Sequence, residues 1–299
     1  MNPTGSEQTK PVELCAVVLT LSPLRAGTFP ANQSRAVHAW FLHLVAGADA
    51  DLAARLHDEA QVKPFTCSNL WRSGQLSAVS RQRSAVNGRR STLQLAICSP
   101  GEIWNLRYTT FSADLTRLWL DRVLPSLPAE VAFGEATFRV LGAALSPQEH
   151  PWAGQSSYAD LGAPYLLSGA PTPTRWKFAF AEPTTFRSGG HTVPMPLPDL
   201  LFGSLLDRWN AFAPVALQPE VRRFAHECVA VSNYALRTRA LPGKEGAVQR
   251  GAVGRCDYMA LTQDRYWCSA LSALAAFAFY SGAGYQTTQG MGMCRWVEG

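Results

Sequence analysis

The sequence predicts an α+β protein built from two tandem ferredoxin-like domains, each with the element order β-α-β-β-α-β. Apolar segments of strand length alternate with segments of helical periodicity, and this alternation occurs twice along the chain. A stretch rich in Pro, Gly, Ser and Ala separates the two runs. We therefore expect an N-terminal domain over residues 1–150, a linker over 151–173 and a C-terminal domain over 174–299.

The first run supplies the elements of the N-terminal domain. It begins with the Val- and Leu-rich strand VELCAVVLTLSPL, the helix SRAVHAWFLHLVAGA with Ser34 as a candidate N-cap, and the short helix DADLAARLHDE. A strand starting in KPFTCSNLW leads into the polar, basic loop SGQLSAVSRQRSAVNGRR. The strands STLQLAICS and EIWNLRYTTF, the amphipathic helix SADLTRLWLDRVLPSL and the strand EATFRVLGAALSP complete the domain.

The second run repeats the pattern over a similar length. It reads as the strand RWKFAFAEPTTF, a helix that begins after the prolines of PMPLPDLLFGSLLDRWNAF, and the long strand RRFAHECVAVSNYALRTRAL. The segment AVQRGAVGRCDYMAL is the expected hairpin partner of that strand, before the apolar helix YWCSALSALAAFAFYSG and the last strand GMCRWVE. Residues 146–173, between the runs, show no sustained periodicity.

The charges are basic and concentrated in two segments. The net charge is +5, and the basic residues are 23 Arg and 4 Lys. No acidic residue occurs from Ala60 to Gly101, where six basic residues fall: Lys63, Arg72, Arg81, Arg83, Arg89 and Arg90. A second basic run contains Arg222, Arg223, Arg237, Arg239, Lys244, Arg250 and Arg255. Because arginine matches phosphate and stacks on bases, these segments favour binding of an anionic polymer, although two solvated loops would give the same pattern.

The cysteines and the hydropathy of the chain indicate the cellular compartment in which the protein is expected. Seven cysteines without a CxxC pair argue against a disulfide framework and against a structural zinc site. No apolar run reaches the length of a membrane span, and the N-terminal residues lack the pattern of a signal peptide. We expect a cytoplasmic protein without metal, cofactor or membrane partner.

A glycine-rich loop, whose ordering costs conformational entropy, lies near the C-terminus in SGAGYQTTQGMGMCRW. Glycine loses more backbone freedom on folding than any other residue, so such a loop usually serves close backbone approach. It follows a helix and precedes a strand, which is not the context of a GxGxxG fingerprint, and it lacks the GK[ST] ending of a P-loop. Its backbone N–H groups are suited to phosphate oxygens.

Several segments of the chain resemble a known family. FAEPTTFRSGG, PMPLPDLLFGSLLDRWNAF, GAVGRCDY and LAAFAFYSGAGYQTTQGMGMCRW resemble the CRISPR-associated precursor-RNA-processing endoribonucleases of the repeat-associated (RAMP) superfamily. AVHAWFLHLVAGADADLAARLHDEAQVKPFTCSNL is similar to that family's first helix, catalytic loop and second strand. The resemblance implies two ferredoxin-like domains and metal-free cleavage of CRISPR repeat RNA, with the Gly-rich loop lying against RNA.

Metal-free RNA cleavage requires a base for the 2′-hydroxyl, an acid for the departing 5′-oxygen and a cation for the phosphate charge. The resemblance makes His57 the first candidate for proton transfer and Lys63 the candidate cation. In the helix before them, His43 is the candidate for the second proton transfer, and His38 is expected to position RNA. A structural role is the alternative for each, and the choice of base and acid stays open.

Further RNA contacts are expected from the loop and the second hairpin. In the loop, Gly282, Gly284, Gly290 and Gly292 are expected to allow RNA approach, and Gln286, Thr287 and Thr288 to donate hydrogen bonds. Around the hairpin the candidates for phosphate binding are Arg237, Arg239, Arg250 and Arg255. The partner is CRISPR repeat RNA, and a homodimer or subunits of an effector complex are further candidate partners.

Three alternatives to the endoribonuclease each predict a different feature of the sequence. The nearest is a non-catalytic RNA-binding subunit of the same superfamily, which loss of both His57 and Lys63 would favour. An RNA-recognition module predicts an RNP-type run, which the sequence lacks. A metal-dependent nuclease requires paired carboxylates, and Asp49, Asp51, Asp58 and Glu59 lack a partner motif.

Overall fold

The computed structural model describes residues 11–57, 62–75, 95–242 and 248–297. The N-terminal half contains β1 (Leu14–Pro23), β2 (Gly27–Pro30), α1 (Ser34–Ala48), α2 (Ala50–His57), β3 (Phe65–Cys67), β4 (Trp71–Arg72), β5 (Leu95–Cys98), β6 (Trp104–Thr110), α3 (Ala113–Leu118), β7 (Glu130–Phe133) and β8 (Ala136–Ala144). The rest contains β9 (Gly154–Ser156), α4 (Tyr158–Leu166), β10 (Arg175–Thr184), β11 (Phe186–Ser188), β12 (His191–Val193), α5 (Pro198–Phe212), α6 (Val221–Cys228), β13 (Val229–Pro242), β14 (Val248–Ala260), α7 (Arg265–Ser281) and β15 (Cys294–Val297).

Both main sheets have the ferredoxin-like strand order. The first runs β3-β6-β1-β8 and the second β13-β14-β10-β15, so in each sheet the first strand of the repeat lies between the third and the fourth. All neighbouring pairs are antiparallel. The first sheet is extended by β7 beside β8, by β4 beside β6 and by β9 beside β1. The predicted α+β class with two tandem ferredoxin-like domains is confirmed.

Helix α7 joins the two domains because both of its sides are covered. Its residues from Cys268 to Ala275 are all buried, and so are Phe277 and Ala278. In the same core cluster lie Trp176 of the C-terminal sheet and Leu14 of the N-terminal sheet. A helix that is apolar all round is typical of a fully buried position, which explains the unbroken apolar run in its sequence.

Strand β1 is apolar on both faces for the same reason. Cys15, Val17 and Leu19 belong to the N-terminal core under α1, whereas Leu14 and Ala16 belong to the core that contains α7. Strands buried on both faces lack polar alternation. The predicted strand over 12–24 is therefore confirmed and carries the interface between the domains.

One predicted strand of the C-terminal domain is a helix over its first third. Residues 222–241 were expected to form one long strand, but α6 covers Val221–Cys228 before β13 begins. Val221, Phe224 and Ala225 are buried at helical spacing, and no residue from Arg222 to Cys228 is β-branched, in contrast to the VAV that follows from Val229. The helical period is thus present in the sequence, but the apolar run that follows it led to the prediction of a strand.

The segment 151–173, expected as a linker, contains β9 and α4. Strand β9 pairs with β1, and Ser157 caps α4 by accepting a hydrogen bond from the amide of Asp160 at 3.0 Å. Trp152 and Tyr158 are buried. The Ser157–Asp160 spacing is a capping signal that the Pro and Gly content of the segment concealed.

The remaining differences are small elements. Strands β2 and β7 and the hairpin β11–β12 were not predicted, and β5 pairs with β2 rather than with the main sheet. Helix α5 begins at Pro198, the last of its prolines. All seven cysteines are free thiols. None of the helices in the described ranges has both the length and the apolar character to span a membrane.

Candidate active site

The loop between α7 and β15 turns repeatedly through left-handed backbone conformations. Four glycines have positive φ there: Gly282 (61°), Gly284 (81°), Gly290 (72°) and Gly292 (75°). Gln286 is also left-handed, at φ 60°, and precedes a 3-10 turn over Thr287–Gln289. A residue with a Cβ reaches this region at a cost of about 1–2 kcal/mol, so the path of the loop favours glycine.

The glycines also admit close contact with the protein's own backbone. A Cβ on Gly284 would lie 2.2 Å from the carbonyl oxygen of Thr185, and one on Gly292 would lie 2.2 Å from that of Ala283. The amide of Tyr285 donates to the Thr185 carbonyl at 2.7 Å. The close approach that the sequence assigned to RNA is made at these two glycines by protein backbone.

Asn69, which follows β3, holds the far end of the loop. Its side-chain amide donates to the carbonyl of Gly290 at 2.9 Å, and its side-chain oxygen accepts from the backbone N–H of Gln33 at 3.0 Å. It also hydrogen-bonds the carboxylate of Glu182 through both side chain and backbone. One amide thus connects the loop with the start of α1 and with β10.

Arg208 of α5 holds the near end. Its guanidinium donates to the carbonyl of Gly284 at 2.5 Å, to Oγ1 of Thr287 at 3.4 Å and to the carbonyl of Ser204 at 2.9 Å. Burial lowers the pKa of Arg208 to about 10, which leaves it charged at neutral pH. The loop is therefore held on both sides by contacts with the protein itself.

A cavity of about 570 Å³ lies where the loop faces the N-terminal domain. The N-terminal domain contributes His38, Leu56, His57, Val62 and Lys63 to its wall. The loop contributes Gly284 through Gln289, and α5 contributes Leu200, Ser204, Asp207 and Arg208. Three of the four catalytic candidates from the sequence thus line one cavity, together with four of the seven loop candidates.

The side chain of His38 lies in the wall of this cavity with a fixed orientation. Its Nδ1 lies 3.0 Å from the carbonyl oxygen of Thr288, so Nδ1 carries the proton and donates it. Its ring stacks on Phe65 with centroids 5.6 Å apart. Burial lowers the pKa of His38, and the charges of Lys63 and His57 lower it further, against the opposing effect of the Thr288 hydrogen bond. A neutral imidazole with Nδ1 committed keeps Nε2 as its basic nitrogen.

His57 and Lys63 line the same cavity as His38. His57 is the last residue of α2 and is exposed, whereas Lys63 is half-buried and donates from Nζ to the carbonyl of Leu56 at 2.5 Å. That bond closes the end of α2, where carbonyls have no partner within the helix. Asp58 and Glu59 lie outside the described residues.

The other candidates lie elsewhere. His43 is exposed on α1 and does not line the cavity. Four arginines are on the β13–β14 hairpin and are not among the residues of its wall: Arg237, Arg239, Arg250 and Arg255. Five basic residues of the two predicted segments lie outside the described ranges: Arg81, Arg83, Arg89, Arg90 and Lys244.

The charge of the cavity wall is mostly positive. Lys63, Arg187, Arg208 and Arg222 line it, and Asp207 is the one carboxylate among the described residues of the wall. Arg222 pairs with both carboxylate oxygens of Asp207, at 2.7 and 2.9 Å. The wall therefore suits an anion such as a phosphodiester. Within the described ranges, no three His, Cys, Asp or Glu side chains are grouped as a metal site requires.

Sequence reasoning missed Arg208 and Asn69, which hold the loop. Arg208 had a signal, since it is the only basic residue of α5, PDLLFGSLLDRWNAF. Asn69 had none, because its partners are distant in sequence: Gln33, Glu182 and Gly290. Long-range polar contacts of this kind leave no local periodicity to detect.

Comparisons with known proteins cover both halves of the chain. A sequence profile described as the CRISPR Cas6 N-terminal domain matches residues 14–163, half of the chain. A second, described as CRISPR-associated endoribonuclease Cas6, matches residues 178–294. The CRISPR-associated endoribonuclease Cas6 of Mycobacterium tuberculosis is 29% identical over 131 residues, which are 44% of this chain and 41% of that relative. The matched segment is thus under half of that relative's length.

Solved structures are similar over nearly the whole chain. A Cas6 product complex is 28% identical, with a TM-score of 0.73 over 95% of this chain and 100% of the other. Thermus thermophilus Cas6 is 27% identical, with a TM-score of 0.67 over 96% of this chain and 99% of the other.

Proposed function

The chain belongs to the Cas6 family of CRISPR-associated endoribonucleases, and from that premise we propose that it cleaves precursor CRISPR RNA within the repeat by a metal-independent transesterification. The observation that carries the proposal is the cavity in which His38, His57 and Lys63 face an ordered glycine loop. The similarity to a solved Cas6 product complex supports the same substrate class. The proposal places the protein in the cytoplasm, and the homodimer and effector subunits stay predictions from the sequence.

His38 acts as the base in this proposal. Its lowered pKa keeps the ring neutral at pH 7, and the Thr288 carbonyl holds the proton on Nδ1. Nε2 takes the proton of the 2′-hydroxyl while the 2′-oxygen attacks the adjacent phosphorus. The sequence had preferred His57 and His43 for proton transfer, but His43 stands outside the cavity.

His57 acts as the acid and Lys63 as the cation. As the bond between phosphorus and the 5′-oxygen breaks, protonated His57 gives its proton to that oxygen. Lys63, with Arg208 nearby in the wall, stabilises the additional negative charge on the phosphate in the transition state. The products are a 2′,3′-cyclic phosphate and a 5′-hydroxyl. No atom changes its oxidation state, and the proposed reaction uses no metal ion.

The test is single-turnover cleavage of the host's repeat RNA in excess EDTA. We expect the wild type to cut at one site and leave a cyclic phosphate. His38→Ala and His57→Ala should each slow cutting by about 100-fold or more, the usual contribution of a general acid or base. His43→Ala is the matched control and should cut at the wild-type rate.

Three results would contradict the proposal. Cutting that stops in EDTA and returns with a divalent cation requires a metal mechanism. Tight repeat binding by a wild type that does not cut identifies a non-catalytic binding subunit. Loss of cutting in His43→Ala, with His38→Ala unaffected, moves the base to His43.

A further inference from the structure

One arginine in the wall of the cleavage cavity has no part in the proposed reaction. Arg222 lies in the first turn of α6, and its side chain lines the cavity together with Ser204 and Asp207 of α5. The sequence placed it in the second basic segment without a specific role. It belongs to the C-terminal domain, whereas the proposed base, acid and cation all come from the N-terminal domain. Its function is therefore to be found in how it is held.

Gly203 of α5 leaves the space that the guanidinium of Arg222 occupies. A Cβ at position 203 would lie 2.5 Å from Nη1, 2.7 Å from Cζ and 3.2 Å from Nε of Arg222. Gly203 is in the interior of α5, where glycine is less favourable than alanine because it loses more backbone freedom on folding. Its φ lies outside the left-handed range, so the backbone does not require glycine there. The close approach of the guanidinium explains the residue.

Two acceptors on α5 fix the orientation of the guanidinium. Nη2 donates to the two carboxylate oxygens of Asp207 at 2.7 and 2.9 Å and to the carbonyl of Gly203 at 3.3 Å. The side chains of Arg222 and Asp207 are 48% and 60% exposed. Because water and salt screen an ion pair this exposed, it adds little to the stability of the fold. The arrangement therefore orients Arg222 more than it stabilises the protein.

The rest of the guanidinium is available to a ligand in the cavity. Its hydrogen bonds to the residues that the structure describes use Nη2 alone, which leaves the N–H groups of Nη1 and Nε without a partner among them. Guanidinium N–H groups match the oxygens of a phosphate. A side chain that is already oriented loses less conformational entropy on binding than a free one. Since every nucleotide of RNA carries a phosphate, the phosphates beside the scissile one are the ligands at hand.

We propose that Arg222 binds a phosphate next to the scissile one and so positions the RNA within the cleavage cavity. The inference rests on the proposed function for its substrate. Asp207 keeps Nη2, while Nη1 and Nε donate to the phosphate oxygens, so the ion pair stays intact when RNA binds. Arg222 is thus a positioning residue. It contributes to the affinity for RNA, whereas Lys63 and Arg208 stabilise the charge of the scissile phosphate in the chemical step.

The experiment measures Kd of Arg222→Met for repeat RNA with a 2′-deoxy substitution at the cleavage site, over a range of salt concentrations. We expect Kd to rise about tenfold, since one hydrogen-bonded contact between charged groups is lost. The slope of log Kd against the logarithm of the salt concentration should fall by about 0.7–0.9, the value for one phosphate contact. The single-turnover rate constant for unmodified RNA at saturating protein should stay unchanged. Arg222→Lys, which keeps the charge, should retain the slope and recover part of the affinity.

Gly203→Ala tests the seat of the guanidinium without a change in charge. The new Cβ displaces the guanidinium while α5 gains a better helix former, so Kd should rise several-fold and the free energy of unfolding should not fall. In the Arg222→Met background, Gly203→Ala should not weaken binding further, because both substitutions remove the same contact. Wild-type affinity for Gly203→Ala would contradict the role of the seat.

The matched control is Arg223→Met, at the next position of α6, where the exposed arginine lies 3.9 Å from Glu227 and is not among the described residues of the cavity wall. Its Kd and its salt slope should equal those of the wild type. A wild-type Kd for Arg222→Met, or equal losses in the two variants, overturns the inference, while cleavage by the wild type keeps the proposed function. A lower rate constant for Arg222→Met at saturating protein also overturns it, because it assigns Arg222 to the chemical step. A wild type that neither binds nor cuts repeat RNA refutes the proposed function itself.

Discussion

At the scale of single residues, the proposed chemistry depends on how His38 is held. One backbone carbonyl, that of Thr288, sets its tautomer, and one aromatic face, that of Phe65, sets the plane of its ring. Its partial burial beside two other basic groups disfavours the charged form. A histidine in this setting is prepared to accept a proton, whereas the exposed His57 can exchange one with solvent.

The pH dependence of cleavage is the prediction at this scale. Because the base must be neutral and the acid protonated, the single-turnover rate constant should follow a bell-shaped pH profile, whose acidic limb has a midpoint below the ordinary histidine value of 6.5. Lys63→Met removes a positive charge that lowers the pKa of His38, so the midpoint of the acidic limb should move to higher pH while the maximal rate constant falls. Rate constants measured from pH 4.5 to 8 check this.

The control for that series is Arg117→Met, which removes an exposed cation of α3 outside the cavity. Its midpoint should equal that of the wild type. A wild-type midpoint at or above 6.5, or one that Lys63→Met does not move, contradicts the assignment of His38 as the base.

At the scale of elements, the glycine loop is a rigid part of the cavity wall. Arg208 and Asn69 hold its two ends, and its own backbone folds back within van der Waals distance of β10 and of itself. Since Thr288 lies between these two anchors, the position of the His38 partner follows from the packing of the loop. In the proposed reaction the loop acts through its shape, because it places the carbonyl that orients His38.

Gly292→Ala is the prediction for this element. The new Cβ would lie 2.2 Å from the Ala283 carbonyl at a φ of 75°, so strain and overpacking together should lower the free energy of unfolding by about 3 kcal/mol. Denaturant unfolding at neutral pH measures this directly. Gly47→Ala in α1 has open space at its Cβ and should be neutral or slightly stabilising. Equal stabilities for the two variants would contradict the structural account of the loop.

At the scale of the whole molecule, the two domains are joined by polar groups buried among apolar ones. Arg107 of β6 is buried, and it donates to the carbonyls of Trp152 at 2.7 Å and of Phe279 at 2.5 Å. Its guanidinium also lies 4.6 Å from the ring centroid of Phe279. Burial lowers the pKa of Arg107 to about 9. These contacts fix the relative position of the sheets, which determines the cavity between them.

Glu182 gives the prediction at this scale. Burial raises its pKa from 4.5 to about 7, with Arg239 and the Asn69 hydrogen bonds acting in the opposite direction. The folded state therefore binds this proton more tightly than the unfolded state, and stability from this group is lost as pH rises from about 4.5 to 7. The free energy of unfolding of Glu182→Gln, taken relative to that of the wild type, should therefore be roughly 2–3 kcal/mol higher at pH 8 than at pH 5.

Thermal and denaturant unfolding at pH 5 and pH 8 measure that gain. Glu130→Gln, at an exposed position on β7, should unfold like the wild type at both pH values. A Glu182→Gln variant that loses stability at pH 8 relative to pH 5 would show that the ion pair with Arg239 outweighs the cost of burial.

The sequence by itself determined the class of fold and most of its elements. Local periodicity located β1, α1, α5, α7 and β15, because each has an apolar pattern that its own residues carry. The family resemblance carried by the sequence also pointed to His38, His57 and Lys63, and to the glycine loop as a functional part of the chain. The α6 helix and the β9–α4 segment were missed because an adjacent apolar run or a high Pro and Gly content hid their short signals.

Only the tertiary structure decided which candidates act together. His38 and Thr288 are 250 residues apart in the chain, yet one hydrogen bond joins them, and His43 shares a helix with His38 but lies outside the cavity. Asn69 and Arg208 acquire their roles from partners on other elements. A cavity wall is a property of how elements pack, and the free energy of packing depends on contacts between distant residues that no local pattern records.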